Sequence, residues 1–561
     1  MNYKFILGIV LLGSFFNVYS QENKKGRFFG GFESNSQYYL DDNEFGDFEY
    51  EDRFRSNNYL NLNYNYDKWT GGILLEGYEK NALLNYNPKL KGTNVGTFYL
   101  NYKTQKVDIT AGHIYEQFGS GMILRTWEDR ALGINNSIRG ARVIYTPIHD
   151  IRLTGLYGQQ RSGFDVSQGK IFGFNADINL SSSLNFSNSD LSIGFSYVGR
   201  QEETSIVDPN FDELTNAFSS RVDFIHNSFY ASFEHSYKSE EPTIIFNELD
   251  NDFIKAGSSF LFNTGYSKKG LGVDLSLRRI ENMSFFSQRE TDIYPENGGS
   301  TNINYNDKIM NFVPALTKQH HYNLANIYVH QAQSRIDYIS PTIMKSGETG
   351  GQVDVFYNFA KGTKIGGKYG TKIAVNYSSW YNLPGEYKYN PEDYSTKFFG
   401  VSQKYFSDFN VEITKKINKN VHGNLMYVNQ YMNQKLTVGG DLVKTDIIGA
   451  DLTVKLNKSK SIRIQAEHLW ADADMKNWAG ATAEFNYNSK LSFYIYDLYN
   501  YGNNHEERRI HYYNIGSSYR KGSSRIAINY GRQRGGLVCV GGVCRFVPES
   551  KGISLALSTT F

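Results

Sequence analysis

The amino-acid sequence predicts an all-β protein, a single transmembrane antiparallel β-barrel of about 24 strands within a range of about 20–26. Three observations predict it. Apolar and polar residues alternate at period two through segments of about 9–13 residues, longer than the 5–6 usual in globular sheets and right for a tilted membrane-crossing strand. Short and long polar links between those segments alternate along the chain, as hairpins opening on two different sides require. One apolar stretch stands at the start, and no later window holds 18 consecutive apolar residues that could cross as a helix.

Composition agrees. Of 561 residues, 43 are Tyr, 38 Phe and 5 Trp, and 40% are hydrophobic. A disordered or collagen-like chain would be poor in aromatics or periodic in glycine. Length alone would suit several soluble domains. A barrel puts only every second strand residue into lipid, so a hydrophobic fraction of 40% is sufficient. With 59 basic and 57 acidic residues the net charge of +2 carries no footprint of nucleic-acid binding.

In chain order, residues 1–20 read as a signal peptide. Lys4 supplies the positive start, Phe5 to Phe16 the apolar core, and Val18 and Ser20 the −3 and −1 positions before Gln21. A core of about 12 residues is shorter than the roughly 20 needed to span a bilayer. No cysteine follows it, so no lipid anchor is expected, and the mature barrel is expected to occupy 21–561. Alternation then runs to the end: Leu60, Leu62 and Tyr64 against Asn61 and Asn63; Leu191, Ile193 and Phe195 against Ser192, Gly194 and Ser196; Ile462, Ile464 and Ala466 against Arg463, Gln465 and Glu467. The apolar rows are the expected lipid face, with tyrosines at strand ends suited to the headgroup level.

Short links fall at 66–69, 103–106, 145–150, 181–189, 225–228, 267–270, 361–363, 417–420, 457–460, 488–490 and 520–523. Long ones fall at 40–54, 80–94, 115–137, 160–169, 201–217, 239–253, 281–349, 379–403, 433–442, 471–476, 501–508 and 535–549. The count gives about 24 strands and puts short turns on the periplasmic side and long loops outside. The 281–349 link is expected to be a long external loop, and Tyr322 to Val329 reads as extended enough to hide another strand pair.

Several links carry candidate chemistry. Residues 115–137 hold Phe118, Met122, Ile123, Leu124 and Trp127, too apolar for a solvated loop, with Arg125, Glu128, Asp129 and Arg130 in close succession. Such a segment is expected to fold into the lumen and pair its charges with wall residues such as Arg463 or Glu467, as a constriction, a ligand platform or a filling lid. Asp41, Asn43, Glu44 and Asp47 are a weak divalent-cation candidate in an acidic run. The spacing fails an EF-hand, and a solvated loop is the better reading. Cys539 and Cys544 flank Gly541-Gly542, a two-residue hairpin turn that would set the cysteines opposite one another within disulfide range. An oxidising exterior favours the bond. His320, His321 and His330 form a loose cluster better read as polar loop than metal site. There is no Gly-x-Ser-x-Gly elbow and no His-Glu-x-x-His, so neither enzyme nor cofactor is expected; a barrel hydrolase with its residues on separate strands is the remote alternative.

The last strand alternates Ile553, Leu555, Leu557 and Thr559 with polar or small residues and ends on Phe561. This resembles the carboxy-terminal assembly signal of Gram-negative outer-membrane β-barrel proteins. The 115–140 stretch and Leu316 to Leu324 resemble an uncharacterised Bacteroidota-type barrel family over most of the mature chain. The resemblance implies an outer-membrane location reached through a cleaved signal peptide, with membrane lipid and the barrel-assembly machinery as partners, and it supplies no active residues. TonB-dependent transporters are similar in size and strand number but carry a plug domain before the barrel, for which a first strand near Arg27 is expected to leave no room. The expected function is a porin-like channel or uptake conduit for small polar solutes. The alternative is a non-conducting surface scaffold or accessory subunit of an outer-membrane assembly or secretion complex, with surface or membrane protein partners.

Overall fold

The computed structural model describes residues 26–561 apart from 47–52, 80–81, 84–88, 132, 204–211, 246–247, 290–307, 341–342, 390–391 and 541–542. The expected signal peptide and its cleavage site lie outside the described residues. Twenty-four strands form one closed sheet. They are β1 (Arg27–Leu40), β2 (Phe54–Tyr66), β3 (Trp69–Glu79), β4 (Gly92–Lys103), β5 (Val107–Ile114), β6 (Ile138–Tyr145), β7 (Ile151–Ser162) and β8 (Asp165–Asn179). Next come β9 (Ser189–Gln201), β10 (Leu214–His226), β11 (Phe229–Ile245), β12 (Glu248–Lys268), β13 (Leu271–Glu281), β14 (Gly347–Phe359), β15 (Thr371–Tyr381) and β16 (Lys404–Lys416). The last are β17 (Val421–Asn433), β18 (Leu442–Lys455), β19 (Ser461–Ala471), β20 (Trp478–Asn486), β21 (Leu491–Tyr499), β22 (His511–Lys521), β23 (Ser524–Gln533) and β24 (Ser550–Thr560).

Each strand pairs antiparallel with the next, and β24 returns to β1 with Gly31 opposite Thr560 and Leu40 opposite Lys551. Closure leaves no strand edge with unpaired backbone groups, the condition a sheet must meet in hydrocarbon. Phe561 completes the seam: its N–H donates to the Gly30 carbonyl at 3.0 Å, and the Gly30 N–H donates back at 2.9 Å.

Alternation separates two environments. On β19, Ile464 is 58% exposed while its neighbour Gln465 is 4% exposed. Outward residues meet across strands as apolar pairs, such as Ile526 with Leu557 and Ile528 with Leu555. Each such pair adds a few tenths of a kcal/mol, up to about 1 kcal/mol. The result is an apolar belt around the wall. The tight turns use residues that accept a left-handed backbone. Asp67 and Asn227, both with φ of 52°, open two-residue links that match the strands' twist.

Four links depart from expectation. The 160–169 link is a two-residue turn, Gly163-Phe164, between β7 and β8, with a register shift between Val166 and Lys170 that breaks the alternation. The 239–253 link is strand, since β11 and β12 run on through it with shifts at Lys238/Glu241 and Pro242/Thr243. Bulges of this kind scramble the period-two signal. The 361–363 turn is part of a longer 360–370 link. Tyr322 to Val329 is not strand, because it forms a turn around Leu324–Asn326 in which Leu324 and Ala325 are buried; the strand pair this link does hold lies further on, a short hairpin of Asp337–Ser340 with Ile343–Lys345 that stays separate from the barrel sheet. The described parts of 281–349 do not stand outside the wall. They pack on its inward rows, because their apolar residues have more surface to bury there than in water.

Candidate functional site in the barrel lumen

Two links meet inside the ring of strands. The first, residues 115–127, leaves β5 and doubles back through Phe118, Ile123 and Leu124, all fully buried. These pack with inward Leu156, Ile171 and Val198 of β7–β9 and with Met283, Phe285 and Met310 of the second link. The second, residues 282–289 and 308–336, crosses to the opposite wall. There Tyr322, Leu324 and Tyr328 pack against Trp380, Phe406, Met426 and Trp478 of β15, β16, β17 and β20.

The seam between the links is backbone-bonded. The Arg125 N–H donates to Met310 O at 2.7 Å and the Phe312 N–H to Gly121 O at 2.9 Å. Asn311 spans the junction, its amide donating to Met122 O at 3.0 Å and Met283 O at 2.6 Å. Gln160, from the β7 wall, donates to Ile309 O at 2.8 Å.

Buried charges fasten the second link. Lys238 donates to Glu241 at 2.6 Å, Arg200 donates to the other oxygen of Glu241 at 2.8 Å, and Arg289 donates to Glu202 through its Nε at 3.0 Å and its own N–H at 2.8 Å. All five side chains are buried. Charges taken from water hold only when each has partners. Further along, Glu348 of β14 takes the Arg278 guanidinium on one oxygen, and on the other His330 Nε2 at 3.0 Å and the Gln333 N–H at 2.9 Å. His320 Nε2 meets Asp408 at 2.9 Å, Tyr322 donates to Asp451 at 3.0 Å, and the Leu324 N–H donates to Glu467 at 2.7 Å. Burial, and then the Asp451 charge, raise the Tyr322 hydroxyl above its ordinary pKa, so it stays a donor.

The candidate residues are distributed differently from expectation. Arg125 makes no ion pair among the described residues. It lies flat on Phe312, 3.7 Å from the ring centre, and near Trp127 at 5.3 Å, a cation–π contact. Arg130 pairs with Glu128 at 2.8 Å and with Glu33 of β1 at 2.9 Å. Burial alone would lower its pKa, but Glu128 and Glu33 hold it above its ordinary value. Asp129 pairs its backbone with Ile134 in a small hairpin. Arg463 and Glu467 do not serve this segment: Arg463 reaches Glu484 at 3.3 Å and Asp451 at 3.5 Å, and Glu467 holds the second link. The first link packs on β7–β9 and the charged stretch after it reaches β1 through Arg130, so β19 is outside their reach. His320 and His330, expected to be solvated loop, are buried with a carboxylate each.

At the acidic run, Asp41 pairs with Arg53 at 2.6 Å, and Asp42 with Arg532 at 2.8 Å and Lys551 at 3.3 Å. Basic partners already occupy these carboxylates. Asp47 lies outside the described residues; Asn43 and Glu44 are exposed. Among the described residues no group of three His, Cys, Asp or Glu is placed to hold a metal. Backbone register sets Cys539 opposite Cys544, and their side chains lie outside the described residues.

Among the cavities between links and wall, two of the larger carry charged groups. One of about 410 Å³ lies under residues 117–120 and is lined by Asp177, Arg221, Asp223, Glu234 and Asn263. The other, about 380 Å³, is of mixed lining, with Lys318, His320, Asp408 and Arg534 beside Phe406 and Leu498. Sequence reasoning missed the second site and the Lys238–Glu241 cluster, although charges two or three residues apart near strand ends were a readable sign of inward pairing.

A family model described as "Family of unknown function (DUF6029)" matches residues 1–561. No curated protein matches the chain. Among solved structures it is similar to the siderophore receptor PirA from Pseudomonas aeruginosa, at 7% identity and a TM-score of 0.40 over 96% of this chain and 81% of that one. It is similar to a BenF-like porin from Pseudomonas fluorescens Pf-5 at 9% identity and a TM-score of 0.35, over 96% and 98% of the two chains. It is also similar to Pseudomonas aeruginosa OccK3 (OpdO) at 11% identity and a TM-score of 0.37, over 80% and 96%. These are likenesses of overall barrel architecture.

Proposed function

The chain belongs to the DUF6029 family of unknown function over residues 1–561, and from that premise we propose that it is an outer-membrane conduit for small polar solutes whose lumen is held narrow by its own two inner links. The observation that carries the reading is the charged cavity of about 410 Å³ left between the first link and the wall, lined by Asp177, Arg221, Asp223 and Glu234. A purely structural filler would be expected to close such space with apolar side chains, because open polar-lined space contributes nothing to packing. Charged rings and constrictions are how pores select solutes. The apolar belt and the even, closed strand set support membrane insertion.

A second reading has its own support. The five-charge cluster at Arg200, Glu202, Lys238, Glu241 and Arg289 fixes the second link firmly, as suits a permanently closed scaffold. Planar-bilayer recording separates the two. The conduit reading expects small or intermittent conductance from the intact barrel and a large, steady one after deletion of residues 118–127. A barrel that stays closed in both forms, and passes no sugars or amino acids in liposome-swelling assays, would discard the conduit in favour of the scaffold.

A further inference from the structure

The belt is hollowed on the outer face over β11–β15. Outward residues of β11–β15 line a groove of about 610 Å³ there. Where neighbouring outward positions carry Leu277 and Tyr377, the groove floor carries Thr349, Gly351 and Ser379, so the wall is locally hollow. The link between β15 and β16 overhangs it. This link is anchored by its own hairpin, Gly385–Tyr389 with Glu392–Thr396, by an ion pair between Lys255 and Asp393, and by Phe398 set edge-on to Phe260 at 4.9 Å. Beyond the anchor, the tongue Lys397-Phe398-Phe399-Gly400-Val401 is strongly apolar, yet Phe399 is 84% exposed and Val401 56%. Lys397 is exposed and makes no ion pair among the described residues.

We propose that this groove is a binding site for one acyl chain of an anionic membrane lipid, with its headgroup at Lys397. Three features choose a lipid over other occupants. The groove is continuous with the apolar belt, so hydrocarbon already bathes its open side. Its polarity is graded along the strand: Leu275 lies deepest, then Leu277, then at the long-link rim Arg279, whose guanidinium is already held by Glu281 at 2.8 Å and Thr396 at 3.0 Å. From Leu275 to Arg279 is about 13 Å of strand, the dimension of a chain lying beside the wall. Lys397 directly follows Thr396, whose hydroxyl is bonded to Arg279 and Glu281 at the rim, and an exposed lysine there suits a phosphate-bearing headgroup, with exposed aromatics beside it typical of the headgroup level. The site rests on the barrel's membrane insertion and not on conduction.

The test is native mass spectrometry of the full-length barrel in detergent with phosphatidylglycerol or phosphatidylcholine of identical chains. Wild type is expected to retain one phosphatidylglycerol in preference to phosphatidylcholine. Thr349→Trp fills the hollow from the floor and is expected to lower that occupancy about tenfold, what losing roughly two buried methylene groups is worth. Lys397→Glu is expected to cost about fivefold for phosphatidylglycerol alone. Ile464→Trp, on the plain belt, is the control and should change nothing. If Thr349→Trp does not fold, judged by heat-modifiable gel migration, Phe399→Ser serves in its place. Equal lipid retention in the groove variants and the control overturns the site, as would a dimer that the groove variants abolish. Loss of heat-modifiability in wild type would instead indict the transmembrane reading.

Discussion

Arg289 is the residue on which the seating of the second link turns. Its two bonds to Glu202 and its contact with Glu241 at 3.6 Å join residues 282–289 to β9–β11. Arg289→Ala should leave Glu202 buried without its main cation, at a cost of about 3–5 kcal/mol. Urea unfolding followed by heat-modifiability, with limited proteolysis of residues 282–289, would register it; an unchanged midpoint would mean the cluster adds little. Asp42 gives a pH-dependent counterpart. Burial opposes its ionisation, but the Glu44 amide, Arg532 and Lys551 outweigh that and hold its carboxyl below the ordinary value of 3.8. A lowered folded pKa means the stabilisation is fully present above pH 3.8 and is lost as pH falls through the folded value. Proteolysis within 41–53 should therefore rise only below about pH 4. Asp42→Asn should show the raised rate at neutral pH and no further dependence.

At the scale of elements, the strands were legible because a closed sheet with lipid outside and polar groups inside forces period two on every segment. Ile553 to Phe561 could be read as a last strand for that reason. Its partner could not, since the pairing of β24 with β1 joins residues more than five hundred apart. Removing Phe561 should delete both backbone bonds to Gly30 and slow barrel assembly, seen as a smaller heat-modifiable fraction in a refolding time course. Strands β11 and β12 were misread where bulges interrupt alternation. The links were harder: residues 115–127 announced burial by their apolar content, whereas His320 and His330 looked like surface because nothing local shows that Asp408 and Glu348 wait on other strands.

For the whole molecule, closure and filling are separate problems. Twenty-four strands enclose more space than wall side chains can fill, and among the described residues two links supply much of the interior. They share one apolar seam at Phe118, Phe285 and Met310, and each reaches a different wall. The conductance change expected on deleting 118–127 belongs to this scale, because that deletion removes one side of the seam and leaves the ring of strands untouched. If the ring then conducts, the inner links are the gate.

By itself the sequence determined the all-β class, the strand count and the lipid-facing rows, because each follows from local periodicity and link length. Only the tertiary structure decided that the second link also packs inward, which buried charges meet, and where the outer wall is hollow. Those depend on contacts between segments hundreds of residues apart, which no local pattern encodes.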